Sequence, residues 1–581
     1  MADRASALEA LLGDPWQETN PTGFRALLAA DEREEQLAAA TEALDGFAFN
    51  RELVPAALGG RLDSLEGLVA AMRVLWRRDP CLGVGYAGSS YLAAVQVWTG
   101  GDEPQRRTMA DALSANRRFA TAYNELEHGN DLTAAAFRAT PVADGWELRG
   151  RKDVVTNLGA CDGMVLFART SDRPGSRSHS LFLLPELDLA SARLRPGPRY
   201  RSSGLRGVHL GGAEFLDHPV PAGALLGLPG QGLELGLRSF QVTRATLPAM
   251  FLATAETALR VTLTAAEERR LYGAPVVALP YVRASVARAA ADLLAADALC
   301  AVAIRALHLL PEEAPLLAPA VKYLVPQLLK DVVDTLRTVL GAQSYLREGP
   351  AAIFQKLSRD LAPIAFMHAS RTACQAGLLP LLPRLARRSW LGTGPTPGEA
   401  GLFRPGAPLP PMDFTALGLG IPRTDTVSAT LAAVAEQPGG TLPTRFAAHF
   451  RDELARLRDH FTGLAPQDTT IDAPAAVFEA AHRYTVVLAA AACLGVWRHS
   501  GGGTGLGEDL WVSAALDRLA ARLPGRRPVT AEERTELEDA LFRQTVDLHH
   551  AGRPLDLTGV RGTRTPRKSH DTQFTQRAEV P

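Results

Sequence analysis

Along the first 118 residues, apolar side chains recur every three or four positions, the spacing of helices with one face in a core. LEGLVAAMRVLW (65–76) shows it, and YLAAVQVW (91–98) shows it again after the glycine-rich GVGYAGSS (83–90). From 119 to 232 the period shortens. GWELRGRKDVVTN (145–157), MVLFART (164–170), SLFLLPEL (180–187) and HLGGAEFL (209–216) are short runs rich in Val, Leu and Phe, divided by turn pairs such as Asp144-Gly145 and Pro196-Gly197. They predict a β domain set between helical regions. Helical spacing returns over 233–390 in three long stretches: TLPAMFLATAETALRVTLTAAEERRLYG (246–273), VRASVARAAADLLAADALCAVAIRALHLL (282–310) and KYLVPQLLKDVVDTLRTVLG (322–341).

Residues 391–426 carry many Pro and Gly, as in GTGPTPGEAG (392–401) and RPGAPLPP (404–411), and predict a linker or crossing strap. A further helical segment follows over 427–550. Phe446, Phe450, Leu454, Leu457 and Phe461 make one apolar stripe, and FEAAHRYTVVLAAAACLGVW (478–497) makes a second helix. Thr530 with Glu533 is a capping box that opens TAEERTELEDALFRQTVDL (530–548). The last residues, 551–581, hold Arg561, Arg564, Arg567 and Lys568 among Thr, Gly and Pro and predict a disordered or surface-draped tail.

Composition narrows the function classes. The 581 residues are enough for several domains at roughly 100–200 residues each. A formal net charge of −1 gives no reason to expect nucleic acid as a partner. Cys81, Cys161, Cys300, Cys374 and Cys493 lie far apart with no C-x-x-C pair, which argues for free thiols and against a zinc site. MADRASALEALLGD lacks the regions of a signal peptide, and the apolar run TVVLAAAACLGVW (485–497) is too short to span a bilayer. A soluble cytoplasmic enzyme is the expectation, with membrane contact unsupported.

One side chain stands out. In RDLAPIAFMHASRTACQAG (359–377), His368 lies in an apolar stretch, and no Asp or Glu occurs from Leu361 to Pro380. By itself it is a space-filling histidine or a base of near-neutral pKa. Asn124–Asp131 is likewise a polar turn, Arg269 a solvated helix charge, and Arg244 a helix arginine with a carboxylate partner. GQGLELG (230–236) lacks the strand a dinucleotide fingerprint needs, SGGGTGLG (500–507) lacks the Lys-Ser/Thr of a phosphate loop, and His549-His550 has no ligand partner in sequence.

Taken together, the motifs resemble one family. AYNELEHGNDL (122–132) resembles the T-E-P-G-A-G-S-D signature of acyl-CoA dehydrogenases, and DVVTNLG (153–159) resembles their W-I-T-N-G element. GQGLELGLRSFQVTR (230–244), EERRLYG (267–273), LGAQSYLREGP (340–350) and Arg359-Asp360 follow in the family's order. The resemblance covers about residues 40–390. It implies a mainly α fold with a central β domain: an N-terminal helical domain (1–118), a middle β-barrel (119–232) and a four-helix bundle (233–390). The linker (391–426) and helical extension (427–550) are placed like those of very-long-chain acyl-CoA dehydrogenases.

The resemblance also implies FAD. Tyr123, Asn124, Gly129, Asn130, Val154 and Thr156 would line its polar edge and pyrophosphate, and Ser370 and Thr372 would contact it from the bundle. Arg269 and Tyr272 would reach the pyrophosphate of a neighbouring subunit, with Thr338 on the adenine side, so a homodimer or dimer of dimers is implied. Three positions depart from the family: Val154 stands where it has Trp, Asn130 where it has Ser, and Thr338 where it has Gln. The largest departure concerns the base. The family's glutamate falls at His368, and its alternative position, before the substrate-contacting Arg244, is Thr243. The implied activity is dehydrogenation of an acyl-CoA or acyl-carrier-protein thioester, with His368 as base and electron-transfer flavoprotein or oxygen as acceptor. A flavin monooxygenase or oxidase on the same fold, or a non-catalytic binding or scaffold member, remains the alternative.

Overall fold

The structure, a computed structural model, describes residues 2–392, 399–437, 439–500 and 508–557. Helices α1 (Ala2–Leu12), α2 (Phe24–Glu32), α3 (Ala38–Gly46) and α4 (Leu65–Arg78) open the chain. α4 begins where the Ser64 hydroxyl accepts from Gly67 N, and all but one of its residues are buried. α5 (Pro80–Leu82) passes through a π-helical turn, Gly83–Gly88, into α6 (Ser89–Gly100), and α7 (Glu103–Ser114) follows behind an Asp102 capping box. The turn needs its glycines. A Cβ on Gly83 would stand 2.4 Å from the Trp76 ring, and one on Gly85 would overlap the Gln36 amide.

The β domain holds β1 (Phe119–Ala122), β2 (Arg138–Val142), β3 (Gly145–Thr156), β4 (Gly163–Arg169), β5 (His179–Leu184), β6 (Leu194–Pro196), β7 (Leu210–Pro221) and β8 (Leu225–Leu226). The sheet runs β6-β7-β3-β2-β4-β5-β8, with β1 added parallel to β4. β3 and β7 pair antiparallel, and a register shift between Lys152 and Val155 puts Val154 at φ +50°. A β-branched residue in that region is strained, so this bulge is held by its surroundings.

α8 (Gly232–Glu268) is 37 residues long and leads through the hairpin β9 (Arg270–Leu271) and β10 (Ala274–Pro275) to α9 (Pro280–Leu309) and α10 (Ala314–Leu340). α11 (Ala352–Leu361), α12 (Arg371–Leu378) and α13 (Leu382–Arg388) complete the bundle. The strap then crosses its surface. Gly401 O and Ala407 O accept from Arg305, Pro410 O from His308, Thr415 O from Arg238 (2.6 Å) and Gly418 O from Gln241 (2.7 Å).

The extension comprises α14 (Thr426–Ala435), α15 (Leu442–Thr462), α16 (Ala475–His499), α17 (Asp509–Ala520) and α18 (Ala531–His550). The apolar run expected to be too short for a membrane belongs to α16, which at 25 residues is long and apolar enough to cross one. Here Tyr484–Val496 is buried in protein, packed by α9, α15 and α17. The expected tail starts differently from its sequence reading. Leu555 N donates to Glu256 Oε1 (3.2 Å) and Leu557 N to Asp297 Oδ2 (2.8 Å), with Leu557 buried. Both carboxylates are buried in the bundle with arginine partners, Glu256 with Arg77 and Arg260 and Asp297 with Arg73, and this backbone adds a further donor to each. The tail cations Arg561, Arg564, Arg567 and Lys568 lie outside the described residues, as does most of SGGGTGLG.

Candidate active site

Pro363 ends the helical run of α11, and a 3₁₀ turn, Ala362–Ala365, carries the chain to His368. Ser370 then caps α12, its hydroxyl accepting from Ala373 N (3.1 Å). Between them His368 sits at φ +63° and Ala369 at φ +145°. Two adjacent non-glycine residues at positive φ store about 1–3 kcal/mol each and persist only where tertiary contacts impose them. The contacts come from α8. The imidazole meets the Phe240 ring edge-on at 4.5 Å, and Nε2 shares a short hydrogen bond with Thr243 Oγ1. Thr243 Oγ1 also donates to Phe240 O (3.3 Å). With the hydroxyl proton so placed, Nε2–H is the donor to Thr243 and Nδ1 keeps a free lone pair. Burial, then the charges of Arg244 and Lys322, hold His368 well below the ordinary imidazole range. Ala369→Gly is expected to raise the denaturation midpoint, because relief of strain outweighs the ~0.4–1 kcal/mol entropy cost of glycine. A lower midpoint would show that the backbone is relaxed as it stands.

The other charged side chains of this space are cationic. Arg244 lies on α8 with its guanidinium 5.6 Å from the Phe240 ring. Among the described residues it has no carboxylate partner, contrary to the ordinary-arginine reading, and its Nε is buried without a hydrogen bond. Lys322 on α10 is fully buried and donates from Nζ to Ile364 O. Burial pushes it down to about 7, with Arg244 adding to the shift. Cys374 on α12 is buried, and its thiol is pushed up by burial.

The β domain faces this space through Tyr123. Its ring stacks on Phe167 (5.0 Å) and leans on Phe240 (5.3 Å), and its hydroxyl donates to Gln96 Oε1 (2.8 Å). The turn that follows is clamped to β3. Lys152 Nζ donates to Tyr123 O (3.1 Å) and Glu125 Oε1 (2.7 Å), and Asp153 N donates to Asn124 O (3.1 Å), next to the Val154 bulge. Glu125 also accepts from Ala136 N (2.7 Å) and Phe137 N (3.1 Å). Gly129 sits at φ +54° with nothing near the place of a Cβ. Asn124 and Asn130 are exposed, Thr156 half-buried, and the side chains of all three make no hydrogen bond among the described residues. Asn157 ties the end of β3 to the π turn through Ser89 Oγ (2.8 Å) and Gly85 O.

Three predicted residues lie elsewhere. Arg269 ends α8, roughly 37 Å along the axis from Arg244 at 1.5 Å per residue, and donates to Leu340 O (3.3 Å). Tyr272 nearby is 94% exposed, and Thr338 is exposed with its hydroxyl on Asp334 O (3.1 Å). One chain does not bring them to His368. Thr372 is exposed on α12. His550 bonds Glu267 (2.7 Å), a partner the sequence did not reveal, yet no cluster able to hold a metal occurs among the described residues. Sequence reading missed Phe240, Lys152 with Glu125, and Lys322. The signal for the last was there: a lone lysine inside the apolar run PAVKYLVPQ (319–327).

Residues 230–367 match the family model "Acyl-CoA dehydrogenase, C-terminal domain", a match that stops one residue before His368. Human mitochondrial short-chain specific acyl-CoA dehydrogenase is 28% identical over 265 residues, 45% of this chain and 63% of the relative. (2S)-methylsuccinyl-CoA dehydrogenase of Cereibacter sphaeroides is 29% identical over 243 residues, 40% of this chain and 44% of its own length. The chain thus spans less than two thirds of these relatives. A Bacillus anthracis acyl-CoA dehydrogenase solved in complex with FAD has the same fold, with a TM-score of 0.66 at 15% identity over 94% of each chain.

Proposed function

Because this chain belongs to the acyl-CoA dehydrogenase family, we propose that it binds FAD and oxidises an acyl thioester to its α,β-unsaturated form. The contact between His368 and Thr243 carries this reading. The two positions at which the resemblance seats the family's proton acceptor lie 125 residues apart and share a hydrogen bond. The residues on the β side fit the flavin. Asn124 and Asn130, in the turn with the open Gly129 backbone, offer uncommitted amides, and Thr156, at the end of β3, an uncommitted hydroxyl, the kind of groups its polar edge requires. Bound FAD would supply the hydride acceptor.

The chain's own part is to bind and to move a proton. His368 Nδ1 takes the α-proton, and Thr243 keeps the ring turned by holding Nε2. Arg244 holds the thioester end of the substrate and favours negative charge developing there. Phe240 and Tyr123 exclude water beside the imidazole. In this reading the acyl carrier is CoA or a carrier protein, and electrons leave to an electron-transfer flavoprotein or to oxygen. The protein is cytoplasmic and at least dimeric, Arg269, Tyr272 and Thr338 serving a neighbouring subunit's cofactor.

Purified protein should be yellow, and acyl-CoA added without air should bleach it. Yellow protein that bleaches only with dithionite and then reacts with oxygen would favour an oxygen-using flavoenzyme. Colourless protein that takes up no FAD would remove the proposal and leave a scaffold.

A further inference from the structure

Lys322 has no place in the scheme so far, and its surroundings are unusual. It lies mid-helix on α10 with no exposed surface, and among the described residues its ammonium has one hydrogen-bond acceptor, Ile364 O. Moving an ammonium out of water costs several kcal/mol, and one neutral carbonyl is thin compensation. The flanking sequence, PAVKYLVPQ, would accept Leu or Met without altering the helix. Among the described residues the other fully buried lysines, Lys152 and Lys356, both meet carboxylates, at Glu125 and at Asp79 with Asp360, and Lys322 meets none.

The acceptor's place gives the lysine a use. Ile364 lies in the 3₁₀ turn four residues before His368, so the ammonium ties α10 to the segment that holds the strained His368–Ala369 pair. Among the described residues the groups acting on His368 are Phe240, Thr243 and Arg244 from α8 and Lys322 from α10, with the Cys374 thiol of α12 beside the two cations, and no carboxylate is among them. We propose that Lys322 is a positioning residue for His368: it anchors the turn that presents the imidazole, and its charge keeps that imidazole unprotonated and ready to accept a proton. The role of the proton rests on the function proposed above; the coupling between Lys322 and His368 does not.

The titration of His368 tests the coupling without any turnover. Protein with [13Cε1]-histidine would be followed by NMR, the His368 signal identified by its loss in His368→Gln. Lys322→Gln retains a donor for Ile364 O and removes the charge. It should move the His368 midpoint upward by about one pH unit, the scale of a nearby charge. Lys322→Met should do the same, and Lys322→Arg should hold the wild-type midpoint. A Lys322→Gln midpoint equal to wild type overturns the proposal, as does a shift seen only in Lys322→Met, which would make the lysine merely structural. If these variants fail to fold, the wild type suffices. Its His368 signal should pass through a second inflection near pH 7, where Lys322 loses its proton. A signal with no second inflection anywhere up to pH 10.5, the ordinary lysine value, would also overturn it. Turnover unchanged in a His368 variant, by contrast, would remove the catalytic reading and leave the coupling intact.

Discussion

Replacing His368 by alanine should leave FAD bound and lower turnover at least ~100-fold, the low end for loss of a general base. The groups proposed to line the flavin, Asn124, Gly129, Asn130 and Thr156, belong to the β domain and make no hydrogen bond to the imidazole among the described residues, so the absorbance of the bound cofactor should persist. The Thr243 hydroxyl is left with Phe240 O as its partner, so no buried polar group is stranded. The dependence on pH follows from the sign of the shift. Burial and two cations depress the imidazole, so the base form is present from neutral pH down to well below the ordinary histidine range. Wild-type activity should therefore show no loss on passing from pH 7.5 to 6.5 that titrates with His368. Turnover of His368→Ala equal to wild type would show that another group, or none, removes the proton.

The order of domains was legible because the hydrophobic period changes with the architecture. Helical spacing gives way to short strand runs near Phe119, where β1 begins, and returns at Gly232, where α8 begins. The position of His368 was legible from its count after Arg359, but its geometry was not. A sequence pattern records neither the left-handed backbone at 368–369 nor the tautomer that Thr243 and Phe240 O together select. Arg244 could be read as substrate-contacting by resemblance or as a helix arginine with a carboxylate partner; only packing shows that α10 and α12 set Lys322 and Cys374 near it instead of a carboxylate. Residues 551–557 looked like free tail because no local pattern records that Glu256 and Asp297, some 300 residues away, lack backbone donors until this segment arrives. Long-range satisfaction of buried polar groups is what the linear reading could not supply.

Glu125→Ala should be the most destabilising single change on the β side of the site, by about 3–5 kcal/mol, because it strands a buried charge. The Lys152 ammonium would lose its carboxylate while remaining buried, and the N–H groups of Ala136 and Phe137 would lose their acceptors. The pair titrates in opposite senses. Burial pushes the Glu125 carboxyl up, but the Lys152 charge and the hydrogen bonds from Lys152, Ala136 and Phe137 prevail and hold it below the usual range. Burial pushes Lys152 down to about 8 despite Glu125. The depressed carboxyl adds stability above its ordinary pKa that is lost as acid protonates it. The depressed lysine carries a penalty below about pH 8 that fades as pH rises toward 10.5, where the unfolded chain also releases its proton. This pair should thus make wild-type stability fall below about pH 4.5 and rise modestly above pH 8, and both slopes should be shallower in the double variant Glu125→Gln with Lys152→Met, in which other shifted groups such as Glu256 and Lys322 still titrate. That double variant should recover most of the lost stability, since an apolar group replaces the ammonium and an amide still accepts from the turn. Urea midpoints across pH would measure this, and flavin affinity would follow them, because the clamp fixes the turn that carries Asn124, Gly129 and Asn130. Equal midpoints for Glu125→Ala and wild type would mean that the turn is held by the Asp153–Asn124 hydrogen bond alone.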